Sequence, residues 1–119
     1  MTSEVETDTA LAFGDVILVS FPFTNQVATK RRPAVVISGR SYNRSKPDVV
    51  VVAITSQMRA NQGLGEVSLR AWQSAGLVKP SAVKPVIATL ERGLMIRRLG
   101  VLSGEDQVAL RRALAEVLG

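Results

Sequence analysis

Residues 49–55 read VVVVAIT, and this run limits the fold more than any other part of the chain. It is β-branched almost throughout, a composition that is stiff in a helix and packs well on a pleated sheet. The run is therefore read as a strand. Its unbroken apolar stretch, Val49 to Ile54, is far too short to cross a bilayer as a helix. A second run, PAVVIS at 33–38, is apolar without alternation, which predicts a strand buried on both faces. At 119 residues the chain is one domain, long enough to build a core without metal or disulfide support.

Further strands are predicted at DVILVSF (15–21), at EVSLR (66–70), where apolar and polar residues alternate, and at MIRRLGVLS (95–103). AVKPVIATL (82–90) reads as another strand, interrupted by Pro85, which marks an edge or a bulge. PFTNQVATKRR (22–32), GRSYNRSKPD (39–48) and SQMRANQGLG (56–65) carry the breakers of loops and turns. AWQSAGLVKPS (71–81) has room for one helical turn around the only Trp. The chain then ends in a helix. Ser103 is the expected N-cap, Glu105 and Asp106 favour the positive end of the dipole, and Val108, Leu110, Leu114, Val117 and Leu118 form the expected core face. The fold class is mostly β: a small, strongly bent sheet or partly open barrel closed by a C-terminal helix. Residues 1–12 are expected to be a disordered acidic tail, and residues 13–119 the folded domain.

The chain has no Cys and no His, so disulfides and ordinary zinc sites are excluded, and the usual general base near neutral pH is missing. Its acids are scattered, which disfavours metal-dependent or two-carboxylate hydrolysis; neither a metal nor a cofactor is expected. The N-terminus, MTSEVETDTA, is acidic and polar, the opposite of a signal peptide, and a cytoplasmic protein with no membrane partner is the default expectation. The formal net charge of +5 conceals a division. Glu4, Glu6, Asp8 and Asp15 lie in the first fifteen residues without a base, so the rest of the chain, with fifteen bases and six acids, carries +9. No acid occurs between Val16 and Pro47, where Lys30, Arg31, Arg32, Arg40, Arg44 and Lys46 all fall. A field of that sign suits nucleic acid or an acidic protein; it also suits plain solubility.

Two loops become interesting together. The basic loop ends in Arg31-Arg32-Pro33, and the strand from Val49 ends in Thr55-Ser56-Gln57. If these strands pair antiparallel, the start of one lies near the end of the other, and Arg32 stands beside Thr55 at one rim of the sheet. A guanidinium fork with a hydroxyl and an amide suits a phosphodiester, because Arg donates two bonds to phosphate oxygens and Thr holds a third.

GDVILVSFPFT, KRRPAVVIS, YN, VVVVAITSQ, LVKPSAVK and LGVLSGEDQ follow one another in the order seen in the MazF/PemK (Kid-like) toxins of bacterial toxin–antitoxin systems, and the chain resembles that family from about Gly14 to its end. The resemblance implies an SH3-like barrel of the CcdB type with a C-terminal helix, a homodimer, and ribosome-independent, sequence-specific cleavage of single-stranded RNA. It also implies an antitoxin partner whose acidic tail covers the RNA groove. Carried over by motif, the catalytic Arg falls on Arg32 and the catalytic Thr on Thr55. Lys84 takes the place of a basic residue in the later strand, and Lys30, Arg31, Ser56 and Gln57 join it as RNA contacts. Some relatives follow the Lys84 position with a carboxylate and an Arg-Thr pair; this chain has Val86 and Ala88 there. A His that some relatives carry near the first loop has no counterpart.

Plainer readings stand beside these. Arg32 is also what a surface cation at a loop end looks like, and Thr55 what a strand residue with its hydroxyl on backbone looks like. Ser56 and Gln57 suit loop capping as well as substrate contact. Of Phe21 and Phe23, one is expected in the core and the other is free to offer a stacking face. Trp72 fits core or a dimer interface better than a base platform. Two other functions also stay open: a non-enzymatic gyrase-binding inhibitor of the CcdB type, and an inactive RNA-binding relative.

Overall fold

A computed structural model describes residues 10–21, 30–58 and 63–119. Six antiparallel strands form one sheet: β1 (Asp15–Phe21), β2 (Lys30–Val36), β3 (Asp48–Thr55), β4 (Val67–Ser68), β5 (Ala82–Glu91) and β6 (Met95–Val101). Their order across the sheet is β4-β5-β3-β2-β1-β6, so the sheet is curved but not closed. A short helix, α1 (Arg40–Ser45), lies between β2 and β3, and a long one, α2 (Gly104–Leu118), ends the chain. This is the mostly β architecture with a C-terminal helix that the apolar runs predict. No helix among the described residues is long and apolar enough to cross a membrane. Most of the expected tail, the side chain of Phe21 and the whole of Phe23 lie outside the described residues. The end of the tail segment, Leu11, is buried.

Both faces of the sheet are covered, and this explains the unalternating strands. On β2, Val35 faces one apolar cluster while Ala34 and Val36 face the other. On β3, Val52 and Ile54 face the first cluster, and Val49 and Val51 the second. Leu110 and Ala113 of α2, with Trp72 packed alongside, close the first face. Leu11 contributes to the second. At roughly 1.5–3 kcal/mol for each fully buried valine-sized side chain, these strands are the main source of stability.

The second strand begins at Lys30 and not at Pro33, so Lys30, Arg31 and Arg32, read as the end of a loop, are strand residues paired to β1. The structure corrects the sequence reading in two further places. The GRSYNRS segment is not all turn, because Arg40–Ser45 is helical. Four of its six residues, Ser41, Tyr42, Asn43 and Ser45, are poor helix formers, and tertiary bonds hold the segment instead. The buried Asn43 side chain donates to the carbonyls of Leu11 (2.7 Å) and Ser38 (3.0 Å) and accepts from Ser38 Oγ at 2.5 Å. Arg92 donates to the carbonyls of Asn43 and Lys46. The second correction concerns α2. Leu110 and Ala113 are buried, with Ala109 and Leu114 packed beside them, but Val108, Val117 and Leu118 are exposed. Two residues turn a helix by about 200°, so Val108 points away from Leu110, and Leu118 ends the last turn.

Ser103 does cap α2, its Oγ accepting from Asp106 N–H at 3.1 Å. Asp106 does more than favour the dipole. It is buried, and its two carboxylate oxygens accept the backbone N–H groups of Arg70 and Ala71, each at 3.0 Å. The first turn of α2 thereby fixes the start of the 70–77 segment, which carries the helical turn expected around Trp72.

Candidate nucleic-acid interface

The sheet register decides where the cations go. Within the antiparallel β2–β3 ladder, Ala34 lies opposite Ala53. Continued by two residues, that register sets Arg32 opposite Thr55. On its other side Arg32 is paired to Val19 of β1. The β2–β3 ladder ends at Ala34 and Ala53, and a groove of about 490 Å³ opens where it stops.

Arg31, Arg32 and Pro33 form one bank. The end of β3 and the turn after it, from Ala53 to Gln57, run along the bottom. Lys84 and Val86 of β5 and the segment around Lys79 make the other bank. Of the residues singled out by sequence, Arg31, Arg32, Thr55, Ser56, Gln57 and Lys84 therefore line one groove. Lys30 opens β2 and is exposed, but lies outside that lining.

Thr55 is half-buried at the end of β3, and its Oγ1 accepts the Gln57 N–H at 3.0 Å. The plain reading of a hydroxyl bonded to backbone is thus met on the acceptor side only. A hydroxyl has one proton to donate, and here that proton stays available to a groove ligand. Gln57 and Ser56 are exposed, and the turn that holds them is tied to Thr55 through the same bond.

Lys84 reaches the groove through an irregularity. Val52 pairs with Ile87 and Ile54 with Val83, so two steps along β3 match four along β5. The surplus residues, with Pro85 among them, bulge from the ladder. Proline suits this position because it has no N–H to give to a neighbour, and β4 pairs only with Ala82 and Val83. The bulge that the sequence hinted at is what presents Lys84 and Val86.

Among the described residues, Arg31, Arg32, Lys79 and Lys84 are the four cations of the groove, and no acid lines it. None of the four has an ion pair among the described residues. By contrast Arg98 is paired at 2.8 Å with the buried Asp15. Uncompensated charge in a concave site concentrates a positive field, which suits a polyanion. Among the described residues, no three metal-ligating side chains come together. Trp72 packs against the core and is not part of the lining.

Sequence reasoning missed Leu77, Val78, Lys79 and Ser81, which complete the second bank. The signal is present in LVKPSAVK, whose two lysines both reach the groove.

Residues 12–118 match the model of the PemK-like, MazF-like toxins of type II toxin–antitoxin systems. No curated protein sequence matches the chain significantly. Several solved structures share its fold. An endoribonuclease in complex with its cognate antitoxin, from a mycobacterial species, superposes with a TM-score of 0.72 at 23% identity, over 93% of this chain and 95% of the other. MazF from Deinococcus radiodurans (Form-I) gives 0.72 at 24% identity, covering 94% and 99%. In the MazE–MazF structure from the same organism (Form-III) the values are 0.72 and 25%, with 92% and 97% covered.

Proposed function

Because the chain belongs to the PemK-like, MazF-like toxins of type II toxin–antitoxin systems, we propose that it is a sequence-specific endoribonuclease acting on single-stranded RNA, with Arg32 and Thr55 at the reacting phosphate. The observation that carries this reading is the groove itself. It gathers a guanidinium, a hydroxyl with a proton to spare and further unpaired cations, with no acid among the described lining residues to repel a phosphate. Similar solved proteins include an endoribonuclease bound to its cognate antitoxin.

In the proposed reaction a ribose 2′-oxygen attacks the adjacent phosphorus and the bond to the 5′-oxygen breaks. The products are a 2′,3′-cyclic phosphate and a 5′-hydroxyl. One proton leaves the 2′-hydroxyl and another is taken up by the departing oxygen. DNA lacks the attacking hydroxyl, so selectivity for RNA comes with the chemistry. Arg32 donates to two non-bridging oxygens, and the Thr55 hydroxyl holds one of them, stabilising charge as it builds on phosphorus. Arg32 is not a base, because a guanidinium does not deprotonate in proteins. Arg31, Lys84, Ser56 and Gln57 guide the strand through the groove, with Lys30 at its approach. No step needs a metal. Two copies form a two-fold homodimer in the cytoplasm, and an antitoxin with an acidic segment covers the cations when the toxin is silent.

The test uses purified chain, a long single-stranded RNA and excess EDTA. The parent should give discrete fragments. Arg32→Lys keeps the charge and loses the planar fork, and Thr55→Val keeps the shape and loses the hydroxyl. Each should lower cleavage by at least ~100-fold, the scale of removing one oxyanion donor, while Arg97→Lys, away from the groove, cuts normally. Full activity in both groove variants would show that the wrong residues have been assigned. RNA retarded but left intact by the parent would identify a binding protein, and DNA breaks that depend on gyrase would identify a protein-directed inhibitor.

A further inference from the structure

We propose that the segment Leu77–Ser81 is a second RNA-contact bank, in which Lys79 holds a phosphate next to the reacting one while Val78, with Val86 on the same bank, packs against the intervening base. The inference rests on the reading of the groove as an RNA site. It concerns residues outside the Arg32–Thr55 pair.

The first ground is that this segment is braced although it has no regular structure. Its entry is held by Leu77 N–H donating to Trp72 C=O at 3.1 Å, and by Gly76 N–H donating to Gln73 C=O at 3.0 Å. Gly76 has a φ of 84°, and a Cβ there would lie 2.1 Å from the Leu99 carbonyl oxygen of β6. Backbone therefore packs directly on backbone, and only glycine fits. At its exit, the buried Ser81 donates through Oγ to Lys79 C=O at 2.8 Å, and its own carbonyl accepts Leu69 N–H at 3.0 Å. Pro80 stiffens the step between. A side chain on such a segment is presented at little further entropic cost on binding.

The second ground is what the segment presents. Val78 is 89% exposed, and Val86 on the β5 bulge is 56% exposed. Both line the groove, and so does Lys79, which has no ion pair among the described residues. Single exposed valines are ordinary. A pair of them on two elements of one bank, flanked by Lys79 and Lys84, is a surface that alternates apolar and cationic. Single-stranded RNA alternates in the same way, a flat apolar base between charged phosphates. Proteins usually meet bases with aromatic rings, and the described lining contains none. Here the aliphatic pair takes that part.

The test measures binding to a short 2′-O-methylated single-stranded oligonucleotide, which cannot be cleaved, by fluorescence anisotropy across a salt series. Lys79→Gln should weaken binding several-fold and reduce the salt slope by about 0.7, the value for one phosphate contact on a single strand. Val78→Ser should weaken binding without changing the slope, and its effect should vanish on an oligonucleotide with an abasic site at the contacted position. In cleavage of unmodified RNA, both variants should raise KM and leave kcat unchanged. An unaltered affinity and slope for Lys79→Gln, with the parent binding normally, overturns the bank but leaves the Arg32–Thr55 reading standing. A Val78→Ser loss that persists at every abasic position removes the base contact. If the parent itself does not bind the oligonucleotide, the RNA reading fails and this inference falls with it.

Discussion

Asn43 is the side chain on which the middle of the chain turns, and replacing it should cost more than its place in a polar segment suggests. It is fully buried and makes three hydrogen bonds at 2.5, 2.7 and 3.0 Å. They join α1 to Ser38, just after β2, and to Leu11, ahead of β1. Asn43→Ala removes all three. At about 1 kcal/mol net for each, the loss is about 3 kcal/mol. Alanine is the better helix former by about 0.5 kcal/mol, which leaves about 2.5 kcal/mol. Ser38 Oγ still accepts Val50 N–H at 3.0 Å, so it keeps one partner. The carbonyl of Leu11 loses its listening donor, and no water reaches a fully buried site without cost. Urea denaturation at several wavelengths is the assay, with the slope checked to confirm that only stability has moved. Asn43→Asp separates shape from donation. It fits the same space, but an ionised carboxylate would face two carbonyl oxygens, so at neutral pH it should be less stable than Asn43→Ala. Its folded-state carboxyl titrates above the unfolded value, so this variant gains stability as pH falls through the folded value. A loss below ~0.5 kcal/mol for Asn43→Ala, the range of surface changes, would refute the reasoning.

Two shorter predictions concern the same framework. Gly76→Ala combines a positive φ with a collision against the Leu99 carbonyl, and should cost at least the ~1–3 kcal/mol of a strained backbone; calorimetry checks the loss, and an unchanged melting temperature would mean that the 70–77 segment moves freely. The proposed homodimer should give a single species of twice the chain mass by light scattering at micromolar concentration, and a strictly monomeric species would remove it.

The strands were legible because their signal is local. VVVVAIT and PAVVIS can satisfy so many branched apolar side chains only in a sheet covered on both faces, and Val35, Val51 and Val52 are buried accordingly. Helix α1 was not legible, because nothing local makes it helical. Gly39, Ser41, Asn43 and Ser45 are turn formers, and the bonds that settle the matter come from Leu11 and Arg92, each more than thirty residues away. The apolar face of α2 was half legible. Leu110 and Leu114 are in contact with the core, but Val108 was grouped with them by hydrophobicity rather than by angle. The Arg32–Thr55 juxtaposition needed only the antiparallel register of two strands that neighbour one another in sequence and in the sheet, whatever form the segment between them takes. The second bank needed Gly76 against Leu99 and Asp106 against Ala71, contacts between distant segments that no spacing encodes.

What the groove lacks then bears on how it would work. Among the described residues its lining offers guanidinium, ammonium, hydroxyl and amide groups, and neither carboxylate nor imidazole. Val86, on the β5 bulge, is exposed to the groove rather than withdrawn into the core and brings no acid or base to it. The chain has no His anywhere. In the proposed reaction, charge on phosphorus is therefore well provided for, while removal of the 2′-proton is left to solvent. Stabilising one charge by electrostatics contributes on the order of 10²–10³ in rate, and a positioned base another 10²–10⁴. This groove supplies the first and forgoes the second, so cleavage should be slow and should follow hydroxide. The cleavage rate under saturating RNA should climb steadily as pH is raised through neutrality, with binding little changed. A bell-shaped profile centred near neutral pH would reveal a titrating acid and base in the site, and the proton economy argued from Val86 would then be wrong.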